Sequence, residues 1–308
     1  MSRVHGYDPL WLKKIGLLEP RIFGDHSLVF TLKDENGQPV GFSARNLFYE
    51  EAEQDYEKAV KQYGISSRQA FQLPKYFNSV QGHESRDGSP ILWKGRRLFG
   101  FHRAKLGGAP LFIFEGYADV ATAHMHGIRN SVAVSSAGTT TDQLELILRY
   151  KIPHVVLCLD ADEGGWKGIK TFVETLEKLK PASWFLADIM YIPAGEDDPD
   201  AYIRKYGADA FQRLPRIDVF TWRVDQLAKT LASRQELYNR LIQLIIDEPS
   251  PFKKFQMATT AGRYLQLPPQ ILYDEAFFRS GLRPIKLIDN SQPDLMDDLI
   301  AYPQVTPQ

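Results

Sequence analysis

One cysteine, Cys158, stands among the 308 residues. No disulfide can close within the chain, and a Cys-rich zinc site is excluded, since even the Cys₂His₂ type needs two thiolates. No apolar run approaches the ~20 residues that span a bilayer. Residues 1–10 also lack the basic-then-apolar pattern of a signal peptide. A soluble, cytoplasmic protein with no membrane partner is expected. An excess of one charge is missing too: 37 Lys plus Arg face 38 Asp plus Glu, a net charge of −1. That excludes a uniformly basic nucleic-acid protein, but not a basic groove balanced by an acidic site. Repeats and low-complexity tracts are absent. At roughly 100–200 residues per domain, the length suits about two domains, or one core with subdomains.

What is present begins with a hairpin. Residues 27–33 read as a strand, Asp34-Glu35-Asn36-Gly37-Gln38 as a tight turn, and Val40-Gly41-Phe42 as the start of the return strand. Residues 50–62 are polar and read as a short exposed helix or a long loop. From residue 111 apolar strands alternate with helices. Leu111-Phe112-Ile113-Phe114 is a continuous apolar run, followed by a helix over 118–126. A strand near 131–135, a helix over 139–150, a strand over 154–159, a helix over 165–179 and a strand within 184–192 continue the series. This alternation predicts an α/β fold with a mostly parallel sheet covered on both faces. After about residue 214 the spacing is wholly helical, with one helix running to Pro249 and another opening at Pro268-Pro269. The last stretch, 289–308, reads as a loose tail with room for one short helix at 294–300.

The informative residues sit where the apolar strands end. Glu115 follows the first, and Asp160-Ala161-Asp162 the third. Ligands of open α/β sheets collect at the carboxyl ends of strands, so these carboxylates are expected on one rim. Asp119 lies one helical turn past Glu115. A further group, Glu196-Asp197-Asp198-Pro199-Asp200, follows the fourth strand; it either joins the rim or merely starts a helix, whose first turn favours acids. Crowded carboxylates raise one another's pKa unless a counter-charge is present. A hard divalent cation supplies one, and two such ions can stabilise both oxygens of a phosphoryl displacement.

Between residues 91 and 110 stand Lys94, Arg96, Arg97, Arg103 and Lys105 with no Asp or Glu. Trp93, Phe99 and Phe101 interleave. The pattern suits a groove in which cations hold phosphates and rings pack in the core or stack on bases. Arg45 and Lys75 are candidates to join it. Ser136-Ala137-Gly138-Thr139 either cradles a phosphate or caps the next helix. Gly164-Gly165-Trp166-Lys167-Gly168 is not a phosphate-binding P-loop, since the Lys-Ser/Thr ending is missing. The seven histidines show no metal spacing. Cys158, in a buried strand, reads as an inert core thiol.

Taken together, these stretches resemble the catalytic core of the DnaG-type bacterial and phage primases, whose centre is a Toprim domain. The resemblance runs from about residue 20 to 210. It is carried by residues 29–45, ending Gly-Phe-Ser-Ala-Arg, by Pro74-Lys75-Tyr76-Phe77-Asn78-Ser79, and by Trp93-Lys94-Gly95-Arg96-Arg97-Leu98-Phe99-Gly100. Phe114-Glu115-Gly116-Tyr117-Ala118-Asp119-Val120, Ala137-Gly138-Thr139, Leu159-Asp160-Ala161-Asp162 and residues 195–200 complete it. The combination is specific where no single piece is. It implies a basic N-terminal α+β subdomain at 1–110, a Rossmann-like Toprim domain at 111–213, a helical subdomain at 214–288 and a flexible tail at 289–308. It also implies Glu115, Asp160 and Asp162 as catalytic residues, with Asp119, Asp198 and Asp200 as further ligands of two or more Mg²⁺ or Mn²⁺ ions. Arg45, Lys75, Asn78 and Lys94, with Arg96, Arg97 and Arg103, would grip nucleic acid and nucleotide. The implied partners are single-stranded DNA and ribonucleoside triphosphates, with a replicative helicase or a zinc-binding module in trans as further candidates. The source would be a bacterial cell, with a phage or plasmid origin open.

The chain departs from the family's pattern in four ways. Glu-Asp-Asp-Pro-Asp replaces a shorter Glu-Asp-Pro-Asp. The start resembles a point well inside the basic subdomain. The single cysteine cannot build the usual zinc module, so no zinc is expected, and the C-terminal stretch leaves little room for the usual helicase-binding domain. An excised core, a minimal primase that borrows its zinc module, and a relative with a changed task all stay open. The expected activity is RNA primer synthesis on single-stranded DNA by metal-assisted nucleotidyl transfer. The alternatives are a Toprim-type metal-dependent nuclease, against which the hairpin and Lys94-Gly95-Arg96 argue, and a non-catalytic accessory protein that binds single strands or a helicase. A topoisomerase would need a nucleophilic tyrosine in a large separate domain, for which there is little room.

Overall fold

The computed structural model describes residues 27–46, 49, 75–78, 94–135, 138–160, 162–180, 184–193, 195–196 and 198–281. The expectations for residues 50–62, Trp93, Ser136-Ala137, Asp197 and the tail lie outside these. The chain forms two compact units, residues 1–219 and 220–308.

In the first unit, β1 (Ser27–Lys33) and β2 (Pro39–Asn46) form the expected hairpin. Asp34 Oδ1 accepts the backbone N–H groups of Asn36 and Gln38 at 2.9 and 2.8 Å, and Gly37 supplies φ +86°. β3 (Tyr76–Asn78) pairs antiparallel with β2, making a three-stranded sheet. Phe30, fully buried, stacks on Tyr117 with ring centroids 5.1 Å apart. Phe99 and Tyr76 meet Tyr117 edge-on at 5.0 and 5.9 Å. These rings, with Leu28, Leu32 and Ala121, weld the small sheet to the helix that carries Tyr117.

The second sheet holds β4 (Leu111–Phe114), β5 (Ser131–Ala133), β6 (His154–Leu157), β7 (Leu186–Met190) and β8 (Arg216–Asp218), in the order β5-β4-β6-β7-β8. All neighbours are parallel except β7 and β8. Every residue of β4 is buried, which is why it reads as an unbroken apolar run. The expected α/β class with a mostly parallel central sheet is what the chain adopts.

A short helix, α1 (Phe101–Ala104), precedes β4. The crossovers are α2 (Tyr117–Met125), α3 (Thr141–Arg149) and α4 (Glu163–Leu179). Thr140 caps α3 by accepting the N–H of Gln143, whose side chain returns to the Thr140 N–H. α5 (Pro199–Tyr206) and α6 (Ala208–Gln212) follow β7. Phe112, Phe114, Val156, Cys158, Met190, Ile203 and Phe211 form the core here, and burial pushes the Cys158 thiol pKa well up, as befits an inert core residue.

One expectation fails after residue 214, where the chain first makes β8 before turning helical. The strand is only three residues long, and its one apolar residue, Ile217, faces Ile189 across an antiparallel ladder. Three residues are too few to show a period. The second unit packs α7 (Val219–Thr230), α8 (Arg234–Asp247), α9 (Pro251–Leu265) and α10 (Pro269–Arg279). The single helix expected before Pro249 is two, because Ser233 caps α8 by accepting the Glu236 N–H at 3.1 Å. Pro251 opens α9 from the first turn, behind the cap Ser250.

Candidate active site at the carboxyl edge of the sheet

Strand order places the site. From β4 the chain crosses by α2 to β5 on one side, then returns by α3 past β4 to β6 on the other. The direction of winding reverses between β4 and β6, and a crevice opens where neighbouring connections diverge. Glu115 follows β4 and Asp160 follows β6, so two carboxylates stand at that crevice.

Their environment is electrostatically loaded. Burial, then Glu115, Asp198 and Asp162, push the Asp160 carboxyl up to about 7, with Lys75 acting in the opposite sense. Asp160 Oδ1 is buried without a hydrogen-bond partner among the described residues. Burial and the nearby Asp162 raise Glu115 as well. Glu115 is held through its backbone, since its carbonyl accepts the N–H of Ser135, a residue at φ +59°. Asp162 caps α4, its Oδ1 accepting the Gly165 N–H at 2.8 Å. A Cβ at Gly165 would lie 2.0 Å from the Asp160 carbonyl oxygen, so the start of α4 closes against Asp160 only with glycine there.

Asp119 lies behind this edge, buried on α2. Burial, Asp160 and Asp198 raise its pKa well above the usual carboxylate range. Its two oxygens accept the N–H groups of Gly116 at 3.0 Å and Asp200 at 3.2 Å, so it ties the turn after β4 to the start of α5. Asp198 caps α5 through the Ala201 N–H at 2.7 Å while contributing to the charge on Asp160 and Asp119. Asp200 is engaged differently. Its Oδ1 accepts from Arg204 Nε at 2.7 Å and from the Thr122 hydroxyl, and Arg204 Nη2 reaches the same hydroxyl at 3.0 Å. Thr122 and Arg204 were not among the sequence candidates. Arg204 carried a signal, its position four residues after Asp200; Thr122 carried none.

The basic candidates disperse. Lys75 leads into β3 and lies close enough to Asp160 to lower its pKa. Arg45 donates to the Tyr76 hydroxyl at 3.1 Å and lies 5.6 Å from that ring's centroid. Arg97 pairs with Glu35 in the hairpin turn and Arg96 with Asp142 on α3, at 2.7 and 2.8 Å. Arg103 belongs to α1. Asn78 ends β3 and Lys94 opens a 3-10 turn (Lys94–Arg96); their side chains lie outside the described residues. Of the two readings for the interleaved rings, packing holds for Phe99 and Phe101. Phe99 belongs to the ring cluster around Tyr117, and buried Phe101 meets Tyr150 edge-on at 5.3 Å.

Among the described residues, no three acidic, imidazole or thiol side chains converge as a ready-made metal cage. The donor set nevertheless suits a hard cation of the kind that takes one or two carboxylates and completes its shell with water and phosphate oxygens. The donors are oxygens, they burden one another in the ionised state, and one buried oxygen of Asp160 has no hydrogen-bond partner among the described residues. No helix among the described residues is long and apolar enough to cross a membrane.

Residues 112–203 match the family model described as Toprim-like. A DNA primase of Pseudomonas aeruginosa is 29% identical over 203 residues, which cover 64% of this chain and 27% of that protein. A DNA primase of Enterococcus faecalis is 26% identical over 259 residues, 80% of this chain and 37% of that one. The chain therefore spans between 27% and 37% of the length of these two relatives. A crystal structure of a DNA primase domain from Pseudomonas aeruginosa aligns with a TM-score of 0.60 at 22% identity, over 89% of this chain and 82% of that one. The structure of a DnaG primase catalytic domain bound to single-stranded DNA also aligns at 0.60, with 24% identity, over 88% and 81%. The chain has the fold of the DnaG catalytic core and resembles the DnaG-type primases in sequence.

Proposed function

We propose that this chain is the catalytic core of a DNA primase, joining ribonucleotides into short RNA on a single-stranded DNA template. The observation that carries the reading is the crowding of Glu115, Asp162 and Asp198 around Asp160, whose Oδ1 has no hydrogen-bond partner among the described residues, at the point where the sheet's winding reverses. The relatives' name, DNA primase, and the single-stranded DNA bound to the aligned DnaG domain support it.

Glu115, Asp160 and Asp162 would hold Mg²⁺ or Mn²⁺, with Asp198 beside them. When bound, the ions would supply the positive charge that lowers the pKa of the primer's 3′-hydroxyl and offsets the triphosphate. Asp119 acts as a positioning residue, fixing the turn after β4 and the cap of α5 relative to each other. Asp200, already paired with Arg204, holds α5 against α2 in the same way. Lys75, near Asp160 yet exposed, is placed to meet a phosphate. Arg45 and Lys94 are proposed to hold the strand's backbone, with ribonucleoside triphosphates as the second substrate. A helicase and a zinc-binding module in trans are the proposed partners.

The test is primer synthesis from labelled ribonucleotides on single-stranded DNA with Mg²⁺ or Mn²⁺, wild type beside Asp160→Ala. Short RNA is expected from the wild type, with a loss of at least about 100-fold in the variant, the scale of removing a main source of transition-state charge stabilisation. Equal synthesis by the variant would remove Asp160 from the reaction. Metal-dependent cleavage of the template without synthesis would turn the assignment to a nuclease.

A further inference from the structure

An aromatic pair stands on the same rim and takes no part in the reading above. Trp166 lies in the first turn of α4, four residues past Asp162, and 47% of it is exposed. Its backbone N–H donates to the Asp162 carbonyl at 3.1 Å, so the ring's starting point is fixed to the Asp-x-Asp turn. The indole lies against Tyr191, with ring centroids 5.4 Å apart and planes 33° from parallel. Tyr191 is the first residue past β7, whose carboxyl end lies next to that of β6. The two rings therefore stand at the sheet edge that carries Asp160 and Asp162. Nearly half of the indole faces water, so it is accessible to a ligand at that rim.

The surroundings point to the occupant. Lys167 follows Trp166 and pairs with Glu163 at 2.7 Å, but the two side chains are 72% and 85% exposed, so the pair is readily given up for a phosphate. A half-exposed ring, an adjacent solvated cation and a neighbouring carboxylate edge match the parts of a nucleotide: base, phosphate and metal-bridged phosphate. Aromatic rings accept any base, because every base has a π-face.

We propose that Trp166, backed by Tyr191, is a stacking platform for an unpaired base of the single-stranded DNA that passes the carboxylate rim. This rests on the nucleic-acid reading above. The test is fluorescence anisotropy of two labelled strands of equal length, an oligothymidylate and a fully abasic strand, with wild type, Trp166→Ala and Trp166→Phe. The abasic strand keeps the phosphates and removes the bases. Trp166→Ala is expected to bind oligothymidylate roughly 10-fold more weakly, within the range of one lost base stack. Its affinity for the abasic strand should be unchanged, and Trp166→Phe should recover most of the loss. Unchanged oligothymidylate binding by Trp166→Ala would overturn the platform. So would an equal loss on both strands, or a loss that Trp166→Phe does not recover. Wild type that binds neither strand would overturn the nucleic-acid reading itself, and the platform with it.

Discussion

At the residue scale, Asp160 concentrates the site's electrostatics. Its carboxyl titrates near 7 in the fold, against an ordinary value of 3.8. Between those values the folded chain holds a proton that the unfolded chain has lost. Stability linked to this group therefore falls as pH rises from about 4 to about 7, and the strain is fully present above that. Asp160→Asn removes the charge while keeping the shape. We expect it to raise the melting temperature at pH 8 in a metal-free buffer, with the gain shrinking toward zero near pH 4. An equal shift at both pH values would mean the carboxyl is not strained. Mg²⁺ should stabilise the wild type at pH 8 and leave the variant almost unchanged, because only the ionised carboxylate gains a partner. His102 works with the opposite sign. Burial holds its pKa at about 4, and both ring nitrogens lack a partner among the described residues. Its contribution is lost as pH falls from 6.5 toward 4.

At the scale of elements, cations do more internal work than their sequence pattern suggests. Arg97 pairs with Glu35, and Lys105 donates to the Glu35 carbonyl at 2.8 Å, so the hairpin turn is clamped to the segment before β4. The clamp and the ring cluster around Tyr117 hold β2 and β3 in place, and β3 brings Lys75 toward Asp160. In the second unit, buried Lys254 reaches from α9 to the end of α8. Its ammonium donates to the carbonyls of Ile245 and Ile246 at 2.7 and 2.6 Å, groups the helix itself cannot satisfy. Lys254→Met keeps the stem and removes the donors. It is expected to cost about 1.5–3 kcal/mol, the range for hydrogen bonds to a charged group, read by chemical denaturation. A change below about 0.5 kcal/mol, the scale of neutral surface substitutions, would mean water replaces the lysine at no cost.

At the scale of the molecule, the site and its candidate basic residues all belong to the first compact unit, and the helices α7 to α10 to the second. The second has its own core, in which Leu241, Ala258 and Leu272 are fully buried. Leu241→Ala should cost about 2–5 kcal/mol by opening a cavity. We expect hydrogen exchange to report that loss in residues 220–281, with protection of β4 and β6 kept. Equal deprotection of the parallel sheet would show that the chain unfolds as one unit.

Much of this was legible along the chain, for a physical reason. Strands buried on both faces must be apolar throughout, so β4 and β6 announced themselves, and the polar residues at their ends had to be where the chain meets solvent or ligand. Glu115, Asp160, Asp162 and the hairpin turn of Asp34 to Gln38 followed from local pattern alone. The sequence also determined the fold class and the resemblance to primase cores. It left undecided which charges pair. Arg96 and Arg97 look alike beside Lys94, yet one bonds α3 and the other the hairpin, while Oδ1 of Asp160 finds no hydrogen-bond partner among the described residues. Those outcomes depend on residues tens of positions apart meeting, as do the pairing of β8 with β7 and the approach of Lys75 to Asp160. Periodicity reports the burial of a face, and only packing in three dimensions chooses each charge's neighbour and so its pKa.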